Sequence, residues 1–209
     1  MVIFFYDKTF EGLLTAVFDA YNRKTFPQRL MKTGETPPLF TDETYTVWTQ
    51  KASAERVWKA LERKLKKEAC NMLMRVWLSE LPGSDELLLR YIRKTFDTKH
   101  DISLNFGDAD VLEVGKIARK VGHEALYLKQ FVRFQKAADD LFFAPVRPIY
   151  NALPLTIDHF TDRFADQSWV IYDLRRKYGY YYDLQTVREI TFTDDDRLLG
   201  GRLDESLMA

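Results

Sequence analysis

VIFFYDKTFEGLLTAVFDAYNR, residues 2–23, decides the class of fold. Val2 to Tyr6 form a short apolar run that ends at Asp7, the pattern of a buried strand. Thr9 is then a helix cap, and Phe10, Leu13, Leu14, Val17, Phe18 and Tyr21 recur at intervals of three and four, so a helix with one apolar face runs to about Arg23. Pro27, Gly34, Pro37 and Pro38 break every regular pattern, which predicts a loop over residues 25–42. TYTVWT, Thr44 to Thr49, is β-branched and aromatic and is the next strand. The chain therefore opens strand, helix, strand.

The middle of the sequence is helical. Ser53 begins a helix with Val57, Trp58, Leu61 and Leu65 inward, and the period resumes or continues through Met72, Leu73, Val76, Trp77 and Leu78 to a stop at Pro82-Gly83. Ser84, with Asp85 and Glu86 behind it, starts another helix through Phe96, whose face is Leu87, Leu88, Tyr91 and Ile92. Asp108 or Asp110 caps a long helix reaching Ala138, with Val111, Val114, Ile117, Ala118, Val121, Leu128, Phe131 and Phe134 apolar and Gly122 as a kink.

After Asp139-Asp140 the texture changes. Leu141 to Ala144 and Pro145, Pro148 and Pro154 do not fit a long helix. A helix from Pro154 to Ala165 is expected next. WVIYDL (Trp169 to Leu174) and YYYD (Tyr180 to Asp183) flank a turn at Lys177 to Gly179 and read as an antiparallel hairpin. TVREITF, from Thr186, fits a third strand or a short helix, and residues 195–209, with the Asp194 to Asp196 run at their start and Gly200-Gly201 among them, read as a frayed tail. The expectation is a single α+β domain over residues 1–209, predominantly helical. It has a helical body over 51–138, a β-containing segment over 140–192, and a small β element that unites the N-terminal strands and the C-terminal hairpin in one sheet.

Composition narrows the function classes. The chain has 209 residues, 46% hydrophobic and 30% charged, which is a globular balance. No run approaches the roughly 18 apolar residues that cross a bilayer, and the N-terminus has no basic region or secretory apolar core. A single cysteine, Cys70, excludes an intrachain disulfide, and its apolar surroundings make it a small buried hydrophobe. A cytoplasmic protein with no membrane association is expected. Net charge is zero, but residues 51–136 carry 18 Lys/Arg against 12 Asp/Glu, a basic block that could face a phosphate backbone.

No phosphate loop, nucleophile elbow or HExxH motif occurs, and His100, His123 and His159 lie far apart, so neither a metal nor a cofactor is expected. The densest polar constellation is IDHFTDRFADQSWVIYDLRRKYGYYYD, Ile157 to Asp183. On a helix His159 and Arg163 share a face, Asp158 and Asp162 the adjacent one, and Phe160 and Phe164 point inward. On the following strand Trp169, Ile171 and Asp173 project to one side, so Asp173 wants an arginine partner from Arg163, Arg175 or Arg176. Three readings stand side by side. His159, Arg163, Asp173 and Arg133 form a closed polar network; or Arg163 and Arg133, with Trp169 or Tyr181 for stacking, hold a phosphate or base; or His159 and Asp173 are a general acid/base pair. Whether the chain is an enzyme is left open by its residues.

The run from Val111 through Asp183, which includes this stretch, resembles the core of an uncharacterised bacterial family of domains of unknown function, described as DNA metabolism proteins. The likeness is carried by the Glu124 helix ending in FVRF at Phe131 to Phe134, by Pro148, by HFTDRF at His159 to Phe164, by Trp169, Ile171 and Asp173, and by Arg176 and Gly179. The opening FEGLLTAVFDAY resembles the family's start. The resemblance implies a role in DNA repair or modification beside a radical-SAM DNA-modifying protein, or joined to a uracil-DNA-glycosylase-like domain. Leu126, Tyr127 and Gln130 depart from the family's more polar, histidine-bearing stretch before FVRF, so no role resting on that histidine is carried over. With one cysteine, the chain has no radical-SAM cluster of its own. The expected function is a DNA-associated accessory or processing protein with Arg133, His159, Arg163, Trp169, Asp173 and Arg176 on its working surface. The alternatives are a protein-interaction module without nucleic-acid contact and a stand-alone enzyme acting on a nucleotide or base.

Overall fold

The computed structural model describes residues 1–138 and 141–191. The expected tail, residues 195–209, and the change of texture at Asp139-Asp140 lie outside the described residues. The fold is α+β with helices predominating, and the chain divides into two compact units, Met1–Arg119 and Lys120–Ala209.

The first unit holds a parallel sheet of β1 (Val2–Tyr6), β2 (Arg29–Lys32) and β3 (Glu43–Thr46), in the order β2-β1-β3. Strand β2 lies inside the stretch expected to be loop. Its four residues are short and only Leu30 is buried, so no apolar period announced it. Helix α1 (Phe10–Arg23) begins where expected, with Thr9 Oγ1 accepting from the Gly12 N–H at 2.9 Å, and ends at Lys24 in the left-handed region. Helices α2 (Lys51–Lys64), α3 (Lys67–Trp77) and α4 (Ser84–Asp97) follow. Ile3, Phe4, Tyr6, Leu13, Leu61, Leu73, Leu88 and Ile92 are fully buried, each removing from water a side chain worth about 1.5–3 kcal/mol.

One buried polar cluster joins this unit's sheet to α4. Asp85 accepts hydrogen bonds from the Tyr6 hydroxyl at 2.8 Å and from the Lys8 ammonium, while Glu86 Oε1 accepts from the Leu30 N–H at 3.0 Å. Burial alone would raise the Asp85 carboxyl. Its hydrogen bonds with Glu86, Lys8 and Tyr6 outweigh burial and hold it below the usual carboxylate range. Burial and the neighbouring Asp85 push Glu86 the opposite way.

Helix α5 (Ala109–Phe131) crosses from the first unit's residues into the second's without a break at Gly122. It stops seven residues short of the expected end, because Gln135–Ala138 form β4. The second unit is a five-stranded sheet, β4-β5-β6-β7-β8, built also from β5 (Leu141–Val146), β6 (Ser168–Asp173), β7 (Tyr178–Tyr182) and β8 (Val187–Ile190). Strands β5 and β6 are parallel and the remaining pairs antiparallel. The hairpin is where the sequence placed it, and TVREITF supplies its third strand. The two sheets share no strand, which corrects the expectation of one sheet. Pro145 made β5 hard to read, yet it is tolerated because β4 pairs only with residues 141–143, leaving no ladder bond on that side for proline to lose. At Gly179 a Cβ would stand 2.3 Å from the Ile171 carbonyl oxygen, so the hairpin closes only over glycine. A 3-10 turn (Leu153–Thr156) leads into α6 (Ile157–Arg163), which ends two residues before the expected Ala165.

Candidate functional site

The last turn of α5, the segment Val132–Phe134, β5 and α6 enclose a concave site of about 590 Å³ in the second unit. Its aromatic wall starts at Phe134, just beyond the α5 C-terminus. That ring packs edge-on against Phe160 at 5.5 Å and Phe164 at 5.0 Å and lies 5.8 Å from Trp169. Phe142 and Phe164 complete the apolar lining beside Phe160. Trp169 is the foundation of this wall and not part of its surface. It is 0% exposed, in contact with Phe160 and Tyr182.

The polar lining is one-sided. Lys129, Arg133, His159 and Arg163 face the site together with Gln130 and Gln167, and among the described residues no carboxylate belongs to the lining. Arg133 Nη1 donates to the carbonyls of Gln130 and Val132 at 3.1 Å each, closing the α5 terminus while its charge stays uncompensated. Arg163 rests against the Phe164 ring, 5.7 Å from its centroid. Among the described residues none of the four has a carboxylate partner. His159 Nε2 and Trp169 Nε1 are buried without a hydrogen-bond partner, although buried polar atoms are nearly always paired. Asp158 and Asp162 are exposed and lie outside the lining, on the adjacent face of α6 as the helical spacing requires.

The six residues singled out in the sequence thus fall into three groups. Arg133, His159 and Arg163 meet at the site, and Trp169 supports it from beneath. Asp173 and Arg176 sit at the other end of β6, about 13 Å along the strand from Trp169. There Asp173 is fully buried. Its Oδ2 accepts from Arg176 Nη1 at 2.9 Å, and its Oδ1 from the Arg175 and Arg176 N–H groups at 2.8 and 3.1 Å. Arg176 also donates to the carbonyls of Pro148 and Ile149, at 3.2 and 3.1 Å. This network pins the β6–β7 turn to the segment after β5. A His159–Asp173 acid/base pair and a closed network joining these two residues are both corrected by that separation. Stacking on Trp169 is corrected by its burial, and stacking on Tyr181 by its place on the opposite face of the sheet, against Val170 and Tyr172. Phe134, Phe142 and Phe164 take the position those two rings were expected to hold.

Lys129, Gln130, Phe142 and Gln167 were not anticipated. Reading the helix through to Ala138 hid the first two, because it buried Phe134 in a continuous apolar face. The aromatic run FVRF, which interrupts the helical period, was the available sign of the chain's reversal.

Among the described residues no group of His, Cys, Asp and Glu could hold a metal ion, and no helix is long and apolar enough to cross a membrane. An α+β protein with a cation-lined aromatic pocket is the class that fold and site define. The chain belongs to the family described as a domain of unknown function, DUF4130, whose model matches residues 82–199 and so spans the whole site. No curated protein matches the chain. Among solved structures, the chain is similar to a pGpG-specific phosphodiesterase, PggH, from Vibrio cholerae, with 11% identity, a TM-score of 0.42 and 96% of each chain covered. That likeness is too slight to bear on activity.

Proposed function

We propose that this protein is a DNA-associated accessory or processing protein acting beside a partner enzyme, and that the pocket between α5 and α6 is its phosphate-bearing ligand's site. The observation that carries the reading is the lining itself: Lys129, Arg133, His159 and Arg163 face an aromatic wall, and among the described residues no carboxylate stands with them. Cations held together without counter-charges attract polyanions, and arginine's planar fork suits phosphate oxygens. The likeness to DNA metabolism proteins favours DNA over a free nucleotide, and makes a radical-SAM or uracil-DNA-glycosylase-like protein the proposed partner.

Binding to fluorescently labelled DNA across a salt series tests this. The expected result is an affinity whose logarithm falls linearly with log salt, and an Arg163→Ala variant that binds more weakly with a slope shallower by about 0.7–0.9, one phosphate contact. Absence of binding at low salt by folded protein would overturn the reading. It would favour the alternative of a protein-interaction module, for which the exposed Leu126, Tyr127, Phe131 and Ile149 offer apolar area.

A further inference from the structure

We infer that the ligand of this pocket is single-stranded nucleic acid, whose bases stack on Tyr127 and Phe131 while Lys129, Arg133 and Arg163 take its phosphates. The inference rests on the reading above and adds the strandedness of the ligand. Tyr127 and Phe131 stand four residues apart on the last turns of α5, so they share one face, and their rings pack together with centroids 4.7 Å apart. Even so they are 60% and 56% exposed, leaving their outer faces to water. Gln130, three residues after Tyr127 and so beside the pair, lines the pocket, and Arg133 follows two residues after Phe131. The ring pair and the cationic lining are therefore one continuous surface at the end of α5.

Charge selects the occupant of that surface. An apolar protein partner covering the rings would also have to desolvate Lys129 and Arg133 without a counter-charge, which is costly. A polyanion supplies the counter-charge. Duplex DNA hides its base faces in its own stack and gives the rings nothing to hold. An unpaired strand presents those faces, and aromatic platforms beside cations are how sequence-tolerant single-strand binders work. Gln130 and Gln167 add amide donors and acceptors that any base edge can use.

The test compares three labelled 12-nucleotide probes: oligothymidylate, the same length of abasic backbone, and a duplex. Oligothymidylate should bind more tightly than either of the others. Tyr127→Ala/Phe131→Ala should lose on the order of tenfold in oligothymidylate affinity, with the salt slope unchanged, since no phosphate contact is removed. A Tyr127→Leu/Phe131→Leu variant keeps apolar bulk without the ring faces, and it should lose affinity as the alanine variant does while its thermal unfolding matches wild type. Equal or tighter binding of the duplex, equal binding of the abasic strand, or full affinity in the leucine variant would each overturn the inference. In those cases a weakened Arg163→Ala variant would leave the proposed function standing, whereas failure to bind any probe would remove both.

Discussion

The two ends of β6 use the same kinds of side chain to opposite effect. At the Asp173 end a fully buried acid meets a half-buried arginine, Arg176, and the backbone of Arg175 and Arg176, and each polar atom of the carboxylate meets a donor. At the Trp169 end two arginines, a lysine and a histidine border a cavity, and no acid among the described residues answers them. Paired charges in a closed network fix a turn, while unpaired ones at a concave surface are the basis of the proposed ligand site. Residue type alone therefore does not separate structure from function here. The state of satisfaction of each polar group does.

Breaking the closed end should have the largest effect. Asp173→Ala removes the fully buried carboxylate that accepts from Arg176 Nη1 and from the Arg175 and Arg176 N–H groups, and should cost about 3–5 kcal/mol. Urea unfolding measures this, and a loss under about 1 kcal/mol would show that the pair behaves like a surface one. What remains folded should keep the salt slope of the proposed DNA binding.

The cluster of the first unit extends the comparison to a second closed network. Tyr6→Phe removes one hydrogen bond to a charged acceptor and should lower stability by about 1.5–3 kcal/mol. Acid then adds a pH test with a definite sign. Asp85 is held below the usual carboxylate range in the folded protein, so its stabilisation is complete above about pH 4 and is lost as pH falls through the lower folded value. Glu86, pushed upward by burial and Asp85, takes up its proton at higher pH in the folded state than in the unfolded chain and offsets part of that loss. The stability gap between wild type and Asp85→Asn should accordingly be widest near neutrality and narrow below pH 4. A gap that widens in acid would contradict the assigned direction.

At the open end the smallest stability effect is expected. Arg163 is exposed and makes no ion pair among the described residues, so Arg163→Ala should change unfolding free energy by no more than about 0.5 kcal/mol while weakening DNA binding. A variant that unfolds easily and binds normally would place Arg163 with the closed networks and erase the contrast between the two ends.

Much of the architecture was legible because it rests on local period and capping. Thr9, the apolar face from Phe10 to Tyr21, the start of α4 at Ser84 and the hairpin around Lys177 all follow from side-chain spacing and turn chemistry, while α3 ends at Trp77, short of the expected stop at Pro82-Gly83. What escaped were elements whose identity depends on distant partners. Strand β2 has one buried residue and exists because β1 pairs with it. Strand β5 contains a proline whose missing donor matters only if the neighbouring strand extends that far. At the site, the shared face of His159 and Arg163 was readable from a four-residue spacing. That Asp173 would choose Arg176 was open, because Arg163, Arg175 and Arg176 all had the chemistry to pair with it and only the return of the chain at Pro148 and Ile149 decided among them.

Cys70 gives the protein an experimental convenience. It is the chain's single thiol, it is buried in α3, and burial pushes its pKa up, so little reactive thiolate reaches solvent at neutral pH. Native protein should be nearly silent toward maleimide dyes. A Gln130→Cys variant would then carry one addressable position at the rim of the pocket, where a fluorophore would report an arriving strand directly, with no second label to subtract.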